Sequence, residues 1–177
     1  MSPLSVALAF AAALAEPAPA PAPAAGPTVV VASAADVLAE IRRPGASAVL
    51  VNLWATWCEP CRVEFPDIVR LGREYRGRGL RVVFVSTDFV ADRDEARKFL
   101  AEHGVDGSSF IKEEGSDMAF IDGLDPRWTG VIPATFVYDG GGGTRWFREG
   151  KADYETLKRT IDDLLAAPAG SKPQRQD

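Results

Sequence analysis

The chain has 177 residues, of which 46% are hydrophobic, and 20 Lys and Arg against 25 Asp and Glu give a formal net charge of −5. This length and apolar content suit one folded domain with tails. The acidic balance, without any basic run, argues against a nucleic-acid-binding surface, and we expect no nucleic-acid partner.

The N-terminus has the pattern of a signal peptide. Residues 1–15 carry an apolar stretch that is too short to span a bilayer, and they end in the small-residue triplet Ala13-Leu14-Ala15. We therefore expect cleavage after residue 15 and a periplasmic or otherwise extracytoplasmic location. One feature departs from the pattern, since no Lys or Arg precedes the apolar stretch, and the competing interpretation is an Ala-rich extension.

Two further segments are predicted to lie outside the folded domain. Residues 16–27 alternate Ala and Pro, which is typical of an extended, semi-rigid linker. Residues 168–177 are predicted to be a disordered tail. The domain itself is expected to span residues 28–167.

Apolar runs of strand type alternate with amphipathic segments along this domain, which predicts parallel strands with helices on both faces of the sheet. The predicted strands are Val29–Val31, Ala48–Trp54, Leu80–Ser86, Ser109–Ile111, Ala134–Tyr138 and, returning antiparallel, Thr144–Arg148. Helices are predicted over 34–42, from Cys58 to about Arg76 with a kink at Pro66, over 92–104, 117–121 and 153–166. Residues 105–128 give the weakest pattern.

Cys58 and Cys61, the two cysteines of the chain, stand between the strand that ends at Trp54 and the start of a predicted helix. A helix N-terminus stabilises a thiolate at Cys58. The i to i+3 spacing places Cys61 on the same helix face, so the sulfurs can close a disulfide, and Pro60 fits the first turn. Cys58 would attack a foreign disulfide and Cys61 would resolve the mixed disulfide. A structural disulfide or half a zinc site competes, but zinc needs about four ligands and His103 is the one histidine.

The string Val51–Pro66, VNLWATWCEPCRVEFP, resembles the TlpA/ResA-like branch of the thioredoxin superfamily. The resemblance covers roughly residues 27–167 and is strongest at this motif and at Ile132-Pro133. It implies a thioredoxin-like α/β fold with a central mixed sheet of about five strands and helices on both faces. It also implies an exported thiol–disulfide oxidoreductase that reduces protein disulfides, for example in cytochrome c maturation. The implied partners are a protein disulfide substrate and a membrane electron donor, the protein is expected to be a monomer, and no cofactor is expected beyond the Cys58–Cys61 disulfide.

Glu64 is the predicted proton acceptor for Cys61. Asn52 stands where thioredoxin carries a buried aspartate, and a neutral amide cannot take the proton. Glu64 lies one turn beyond Cys61, and the TlpA/ResA-like branch has a glutamate at this place. Partial burial would raise its pKa and suit it to act as a base, whereas the competing interpretation is an ordinary surface glutamate.

We expect five residues to meet the substrate: Trp57, Glu59, Pro60, Ile132 and Pro133. Trp57 would form an apolar collar beside Cys58, whereas Trp54 suits the core equally well. A carboxylate at Glu59 disfavours the neighbouring thiolate and predicts a reducing couple, unless solvent screens it. The resemblance implies that Pro133 is cis, lies against the disulfide and leaves the Ile132 backbone free to pair with an extended substrate.

Two other positions have less specific interpretations. His103, before Gly104 at a predicted helix end, is expected to interact with the helix dipole. Trp128 and the segment 116–127 could form a lid or a specificity loop, or they could fill the back of the sheet, and the sequence does not choose.

The residues around Cys58 also bear on two other functions. A copper metallochaperone on this fold would need cysteines spaced by three residues and a nearby histidine, and we expect no metal site here. A thiol peroxidase would need Thr or Ser three residues before the cysteine and a proline further upstream, where this chain has Ala55 and Val51.

Overall fold

The computed structural model describes residues 26–166. They contain six strands: β1 Thr28–Ala32, β2 Ala48–Trp54, β3 Leu80–Ser86, β4 Ser108–Lys112, β5 Ala134–Asp139 and β6 Thr144–Glu149. Their five α-helices are α1 Ala34–Ile41, α2 Glu59–Tyr75, α3 Arg93–Glu102, α4 Asp117–Leu124 and α5 Tyr154–Ala166. The predicted signal peptide, most of the predicted linker and the predicted tail lie outside the described residues.

The strands form one mixed sheet in the order β1-β4-β3-β2-β5-β6. The first four run parallel to one another, β5 pairs antiparallel with β2, and β6 pairs antiparallel with β5. The predicted mixed sheet is confirmed, with six strands where about five were expected. All seven residues of β2 are buried, because helices cover this central strand on both faces.

The core consists of two apolar clusters, one on each face of the sheet. The first joins the sheet to α2, α3 and α5, and includes Phe65, Phe99 and Leu157. The second joins the sheet to α1 and α4, and includes Ile41 and Phe120. The prediction of helices on both faces is therefore confirmed.

The helix α2 positions the cysteines. It begins at Glu59 with Cys58 as its N-cap, and Pro60 lies in the first turn, where a missing N–H breaks no helical hydrogen bond. The helix continues through Pro66 to Tyr75, so the proline is accommodated inside one continuous element. Pro66 is exposed, which leaves the opposite face of the helix to pack on the sheet.

The segment that the sequence described least well folds as β4 and α4. Trp128 follows α4, is 3% exposed, and packs with Phe120 in the cluster beneath α1 and α4. Of the two interpretations of Trp128, the one in which it fills the back of the sheet is right and the lid is wrong. Within residues 26–166, no helix has the length and apolar character needed to cross a bilayer.

Candidate active site

Three connecting segments meet at one edge of the sheet. In the parallel pair β2–β3, Trp54 lies opposite Ser86, so the segments that follow both strands leave at the same edge. In the antiparallel pair β2–β5, Leu53 lies opposite Ala134, so the segment that precedes β5 arrives at this edge too. The carboxyl ends of parallel strands are where α/β proteins commonly place their functional sites.

Cys58 and Cys61 form a disulfide at this edge, with their Cα atoms 5.2 Å apart. The backbone N–H of Cys61 donates to the Cys58 sulfur at 3.3 Å. Cys58 is 5% exposed and Cys61 is 1% exposed. The predicted order of accessibility is thus observed, although the opening above Cys58 is small while the disulfide is formed.

The residues around Cys58 differ sharply in exposure. Trp57 is 69% exposed, whereas Trp54 is 1% exposed and stacks on Phe99 with ring centroids 4.8 Å apart. Trp54 is therefore part of the core, and Trp57 presents an apolar surface beside the disulfide. Glu59 and Pro60 are also exposed, so the Glu59 carboxylate lies in solvent that screens its charge.

Glu64 is a buried carboxylate with two protein hydrogen bonds. It has no exposed surface. Its Oε1 accepts from Asn52 Nδ2 at 2.8 Å, and its Oε2 accepts from the backbone N–H of Ala152 at 2.9 Å. Burial raises the pKa of Glu64, and these two hydrogen bonds oppose that effect only in part. The interpretation as a surface glutamate is wrong.

Glu64 and Cys61 are neighbours along α2. A separation of three residues places two Cβ atoms about 5–6 Å apart on one helix face. Both residues are buried on the sheet side of the helix. The arrangement therefore places a carboxyl group whose pKa is raised one helical turn from Cys61.

The peptide bond between Ile132 and Pro133 is cis, as the resemblance implied. Pro133 is buried and Ile132 is half-buried. Hydrogen bonds hold the chain on both sides of Ile132: the Trp128 indole donates to the Val131 carbonyl at 2.9 Å, and the Gly150 N–H donates to the Pro133 carbonyl at 2.8 Å.

A second buried carboxylate, absent from our sequence interpretation, supports the segment before Cys58. Asp88 is 2% exposed and accepts the Thr56 hydroxyl at 2.7 Å and the Ser86 hydroxyl at 2.6 Å. The backbone N–H of Thr56 donates to both carboxylate oxygens at 3.1 Å. Asp88 thus ties the segment that leads to Cys58 to the end of β3. The Ser-x-Asp pattern after a strand was the available signal.

His103 has a structural position at the end of a helix. It is the C-cap of α3, and its Nδ1 lies 2.8 Å from the Phe99 carbonyl oxygen. Its ring packs against Phe99 and Phe65, with centroids 4.2 Å and 5.2 Å away. The predicted position at a helix end is confirmed, and the ring extends the aromatic cluster of Trp54, Phe65 and Phe99.

Two features bear on the competing functions. Among residues 26–166, no three side chains of the His, Cys, Asp and Glu types converge as metal ligands, and nothing supports the copper interpretation. Ala55, three residues before Cys58, is buried and carries no hydroxyl. It therefore cannot provide the hydrogen-bonding group that the peroxidase interpretation requires at this position.

Known thiol:disulfide interchange proteins are similar to this chain in sequence. The thiol:disulfide interchange protein HelX of Rhodobacter capsulatus is 37% identical over 120 residues, which cover 68% of this chain and 62% of that protein. The thiol:disulfide interchange protein DsbE of Allochromatium vinosum is 33% identical over 126 residues, covering 70% and 63%. The matched region thus spans less than two thirds of both relatives.

Solved structures show the same fold. A DsbF homologue from Corynebacterium diphtheriae is 25% identical with a TM-score of 0.56, covering 71% of this chain and 75% of that one. A secreted thiol-disulfide isomerase from Corynebacterium glutamicum is 23% identical with a TM-score of 0.60, covering 70% and 73%, and supports the fold alone. The sequence pattern of the AhpC/TSA family matches residues 34–146. The chain therefore belongs to the AhpC/TSA family and has a thioredoxin-like fold.

Proposed function

We propose that the protein is an exported thiol–disulfide oxidoreductase that reduces protein disulfides. One observation carries the proposal: Cys58 caps α2 with a backbone N–H directed at its sulfur, and Cys61 lies buried one turn behind it. A sulfur at a helix N-terminus is favoured as a thiolate, and a second sulfur within disulfide distance can displace a bound substrate.

The reaction consumes a dithiol and forms a disulfide. The Cys58 thiolate attacks one sulfur of a substrate disulfide, forms a mixed disulfide and releases the other substrate sulfur as a thiolate. The Cys61 thiolate then attacks the Cys58 sulfur, closes the Cys58–Cys61 disulfide and releases the second substrate sulfur. Two electrons pass to the substrate. The Cys58 proton has left to solvent before the attack, the Cys61 proton leaves through the acceptor described below, and the two substrate thiolates take up protons from solvent or from that acceptor.

Glu64 is the proposed proton acceptor in the second step. Its carboxylate takes the proton of the Cys61 thiol, which must ionise before it can attack. The raised pKa of Glu64 makes this transfer less uphill than it would be to an ordinary carboxylate. Glu64 later gives the proton to solvent or to the departing substrate sulfur.

The proposed substrate is an extended protein segment that carries a disulfide. Trp57 offers exposed apolar surface next to Cys58, and the cis-Pro133 segment reaches the same sheet edge. We infer that the Ile132 backbone pairs with the substrate and that Glu59 and Pro60 border it. The names of the relatives support interchange between thiols and disulfides. An apocytochrome c is our specific candidate, with a membrane electron donor restoring the dithiol of a monomeric enzyme.

The reduction potential of the Cys58–Cys61 couple is the measurement that tests the direction of electron flow. Equilibration of the full chain with glutathione or dithiothreitol buffers, followed by alkylation and mass analysis, provides it. A reductase should have a potential near that of thioredoxin, about −270 mV. A potential near that of the strong oxidants, about −120 mV, would reverse the proposed direction.

The location is tested separately. The pattern of residues 1–15 supports export, and the protein recovered from a native envelope fraction should lack these residues when its intact mass is measured. Recovery of the uncleaved chain from a cytoplasmic fraction would contradict export. That result would leave the proposed chemistry of the cysteines in place.

A further inference from the structure

We propose that Asn52 is a positioning residue whose side-chain amide rotates by half a turn when Glu64 takes up a proton. This inference rests on the proposed role of Glu64 and adds the partner that lets the carboxyl group exist in both charge states. It is carried by the hydrogen bonds of three buried side chains on β2, α2 and β5.

The side-chain amide of Asn52 is buried, and its nitrogen makes hydrogen bonds whereas its oxygen makes none among the described residues. Asn52, Glu64 and Thr135 have no exposed surface. The Asn52 nitrogen donates to Glu64 Oε1 at 2.8 Å and to Thr135 Oγ1 at 3.1 Å, so both of its hydrogens are engaged. The Asn52 oxygen is buried and has no hydrogen-bond partner among residues 26–166. A buried oxygen without a hydrogen bond costs free energy in a core. The orientation in which the amide oxygen and nitrogen change places is therefore also reasonable.

The observed orientation fits an ionised Glu64. Both carboxylate oxygens act as acceptors, one from Asn52 and the other from the backbone N–H of Ala152. The Ala152 N–H belongs to the backbone and cannot become an acceptor. A proton on Glu64 is therefore best placed on Oε1, where it would point at the Asn52 nitrogen, which is itself a donor.

Rotation of the Asn52 amide removes this conflict. The amide oxygen and nitrogen are nearly equal in size, so a half turn about the Cβ–Cγ bond exchanges them without new space in the core. The Asn52 oxygen then accepts from the protonated Glu64 Oε1. The Thr135 hydroxyl, which can turn about its own bond, donates to the same oxygen. In each state the amide makes two hydrogen bonds and leaves one polar group unpaired.

The rotation would accompany a balanced proton transfer. Cys61–SH and Glu64–COO⁻ become Cys61–S⁻ and Glu64–COOH, and no electrons move in this step. The carboxyl group keeps the same number of hydrogen bonds before and after the transfer. Asn52 therefore lowers the cost of holding a proton at a carboxyl group that has no exposed surface in the oxidised protein, without titrating itself.

Two charged residues near Glu64 affect its pKa. Lys151, next to Ala152, lowers the pKa of Glu64, and Asp67 on α2 raises it. Cys58 and Cys61 do not titrate while they form the disulfide. In the oxidised protein, the titration of Glu64 should thus be the event that Asn52 follows.

Nuclear magnetic resonance on the oxidised full chain tests the inference. Carboxyl ¹³C signals of glutamate report the protonation of Glu64, and side-chain ¹⁵N signals of asparagine report the Asn52 amide. We expect the Asn52 signals to shift with the midpoint of Glu64 and with no other midpoint. Asn52 signals that stay constant while Glu64 titrates would overturn the inference.

Glu64→Gln mimics the protonated form of Glu64 at every pH and serves as the comparison. The glutamine oxygen must face the Ala152 N–H, so its NH₂ group faces Asn52 and requires the Asn52 oxygen as acceptor. The Asn52 amide of this variant should resemble that of the wild type at low pH and should not change with pH. Signals that resemble those of the ionised wild type would contradict the rotation.

Asn52→Leu removes both amide groups, with Thr135→Val as the matched change on the far side of the amide. With rotation, Asn52 hydrogen-bonds Glu64 in both charge states, so Asn52→Leu removes a charge-assisted bond from the ionised form and a weaker neutral bond from the protonated form. The titration midpoint of Glu64 should therefore rise by less than about one pH unit, and by less still in Thr135→Val. A rise clearly above about one pH unit in Asn52→Leu would mean that Asn52 serves the ionised form alone and would overturn the inference. If this variant does not fold, the comparison of wild type with Glu64→Gln still decides.

The two proposals can fail separately. If Glu64→Gln slows resolution of a mixed disulfide while the Asn52 signals never move, the proton acceptor stands and the rotation is wrong. If the Asn52 signals follow Glu64 while Glu64→Gln resolves at the wild-type rate, the rotation stands and the proposed role of Glu64 is wrong.

Discussion

The backbone N–H of Cys61 points at the sulfur of Cys58 from 3.3 Å, and this contact is one of the differences between the two cysteines. It places a fixed donor and the positive end of the α2 dipole at Cys58. Cys61, inside the helix and 1% exposed, has no comparable access to substrate. This difference supports the proposed roles of Cys58 as the attacking thiol and Cys61 as the resolving thiol.

Serine substitutions should separate these roles. Cys58→Ser should abolish reduction of insulin disulfides, because the attacking thiolate is absent. Cys61→Ser should instead accumulate a mixed disulfide with substrate, because nothing displaces Cys58 from it. Non-reducing electrophoresis and mass spectrometry of the trapped species give the answer. Trapping through Cys61 in Cys58→Ser would mean that the roles are inverted.

Trp57 should contribute to substrate binding rather than to stability. Its side chain is 69% exposed beside Cys58, so Trp57→Ala removes contact area without opening a cavity. Loss of an aromatic anchor typically costs about 2 kcal/mol of binding, so KM for a protein disulfide should rise with little change in the melting temperature. Val30→Ala, an exposed apolar change on the edge strand β1, serves as control. An unchanged KM in Trp57→Ala would remove Trp57 from the binding surface.

Asp88 should support the active-site segment through its buried hydrogen bonds. Asp88→Asn turns one acceptor oxygen into a donor that faces the donors of Thr56 or Ser86. One buried donor left unpaired costs about 1–3 kcal/mol, and urea unfolding should show a loss of this size. Asp94→Asn, on the exposed first turn of α3, should stay within about 0.5 kcal/mol of wild type. Equal stability of the two variants would contradict the supporting role.

The sequence predicted the parts of this site that depend on local pattern. The two-sided apolar run of β2 and the placement of Cys58 and Pro60 at the start of α2 follow from neighbouring residues alone. The burial of Glu64 could be stated only as a condition, because its donor at Ala152 lies 88 residues away in the chain. Thr135 was not recognised for the same reason, since its partner Asn52 lies 83 residues away.

Asp88 shows a different kind of difficulty. Ser86 ends β3 and Thr87-Asp88 follow it, and polar residues at such a point predict a loop without indicating which backbone they will bind. Only the pairing of β3 with β2 brings Thr56 to this carboxylate. The cis bond before Pro133 came from the resemblance, because sequence alone gives any X-Pro bond a low expectation of being cis.

Glu64 should make the stability of the oxidised protein depend on pH in a defined direction. Burial raises its folded pKa above the unfolded value of 4.5, so the folded state binds this proton more tightly. The stabilisation is fully present below the unfolded pKa and is lost as pH rises through the folded pKa. The unfolding free energy of wild type minus that of Glu64→Gln should therefore fall as pH rises through this window. Urea titrations of both proteins at a series of pH values provide the difference, and an increase with pH would contradict the raised pKa.

The same variant should impair one chemical step. Glu64→Gln keeps the shape of the side chain, so the fold and the Cys58–Cys61 disulfide should be preserved. Attack by Cys58 on substrate should proceed nearly as in wild type, because the stabilising N–H of Cys61 is unchanged. Resolution by Cys61 should slow by roughly 10²-fold or more, the effect typical of removing a positioned base.

Stopped-flow fluorescence can resolve the two steps, because Trp57 stands next to Cys58 and should respond to formation and loss of the mixed disulfide. In wild type the resolving rate should rise with pH through the pKa of Glu64, since only the carboxylate can accept the proton. Glu64→Gln should lose this inflection, whereas Glu74→Gln, at the far end of α2, should retain it. Identical resolution rates for wild type and Glu64→Gln at every pH would eliminate Glu64 as the acceptor and leave water in that role.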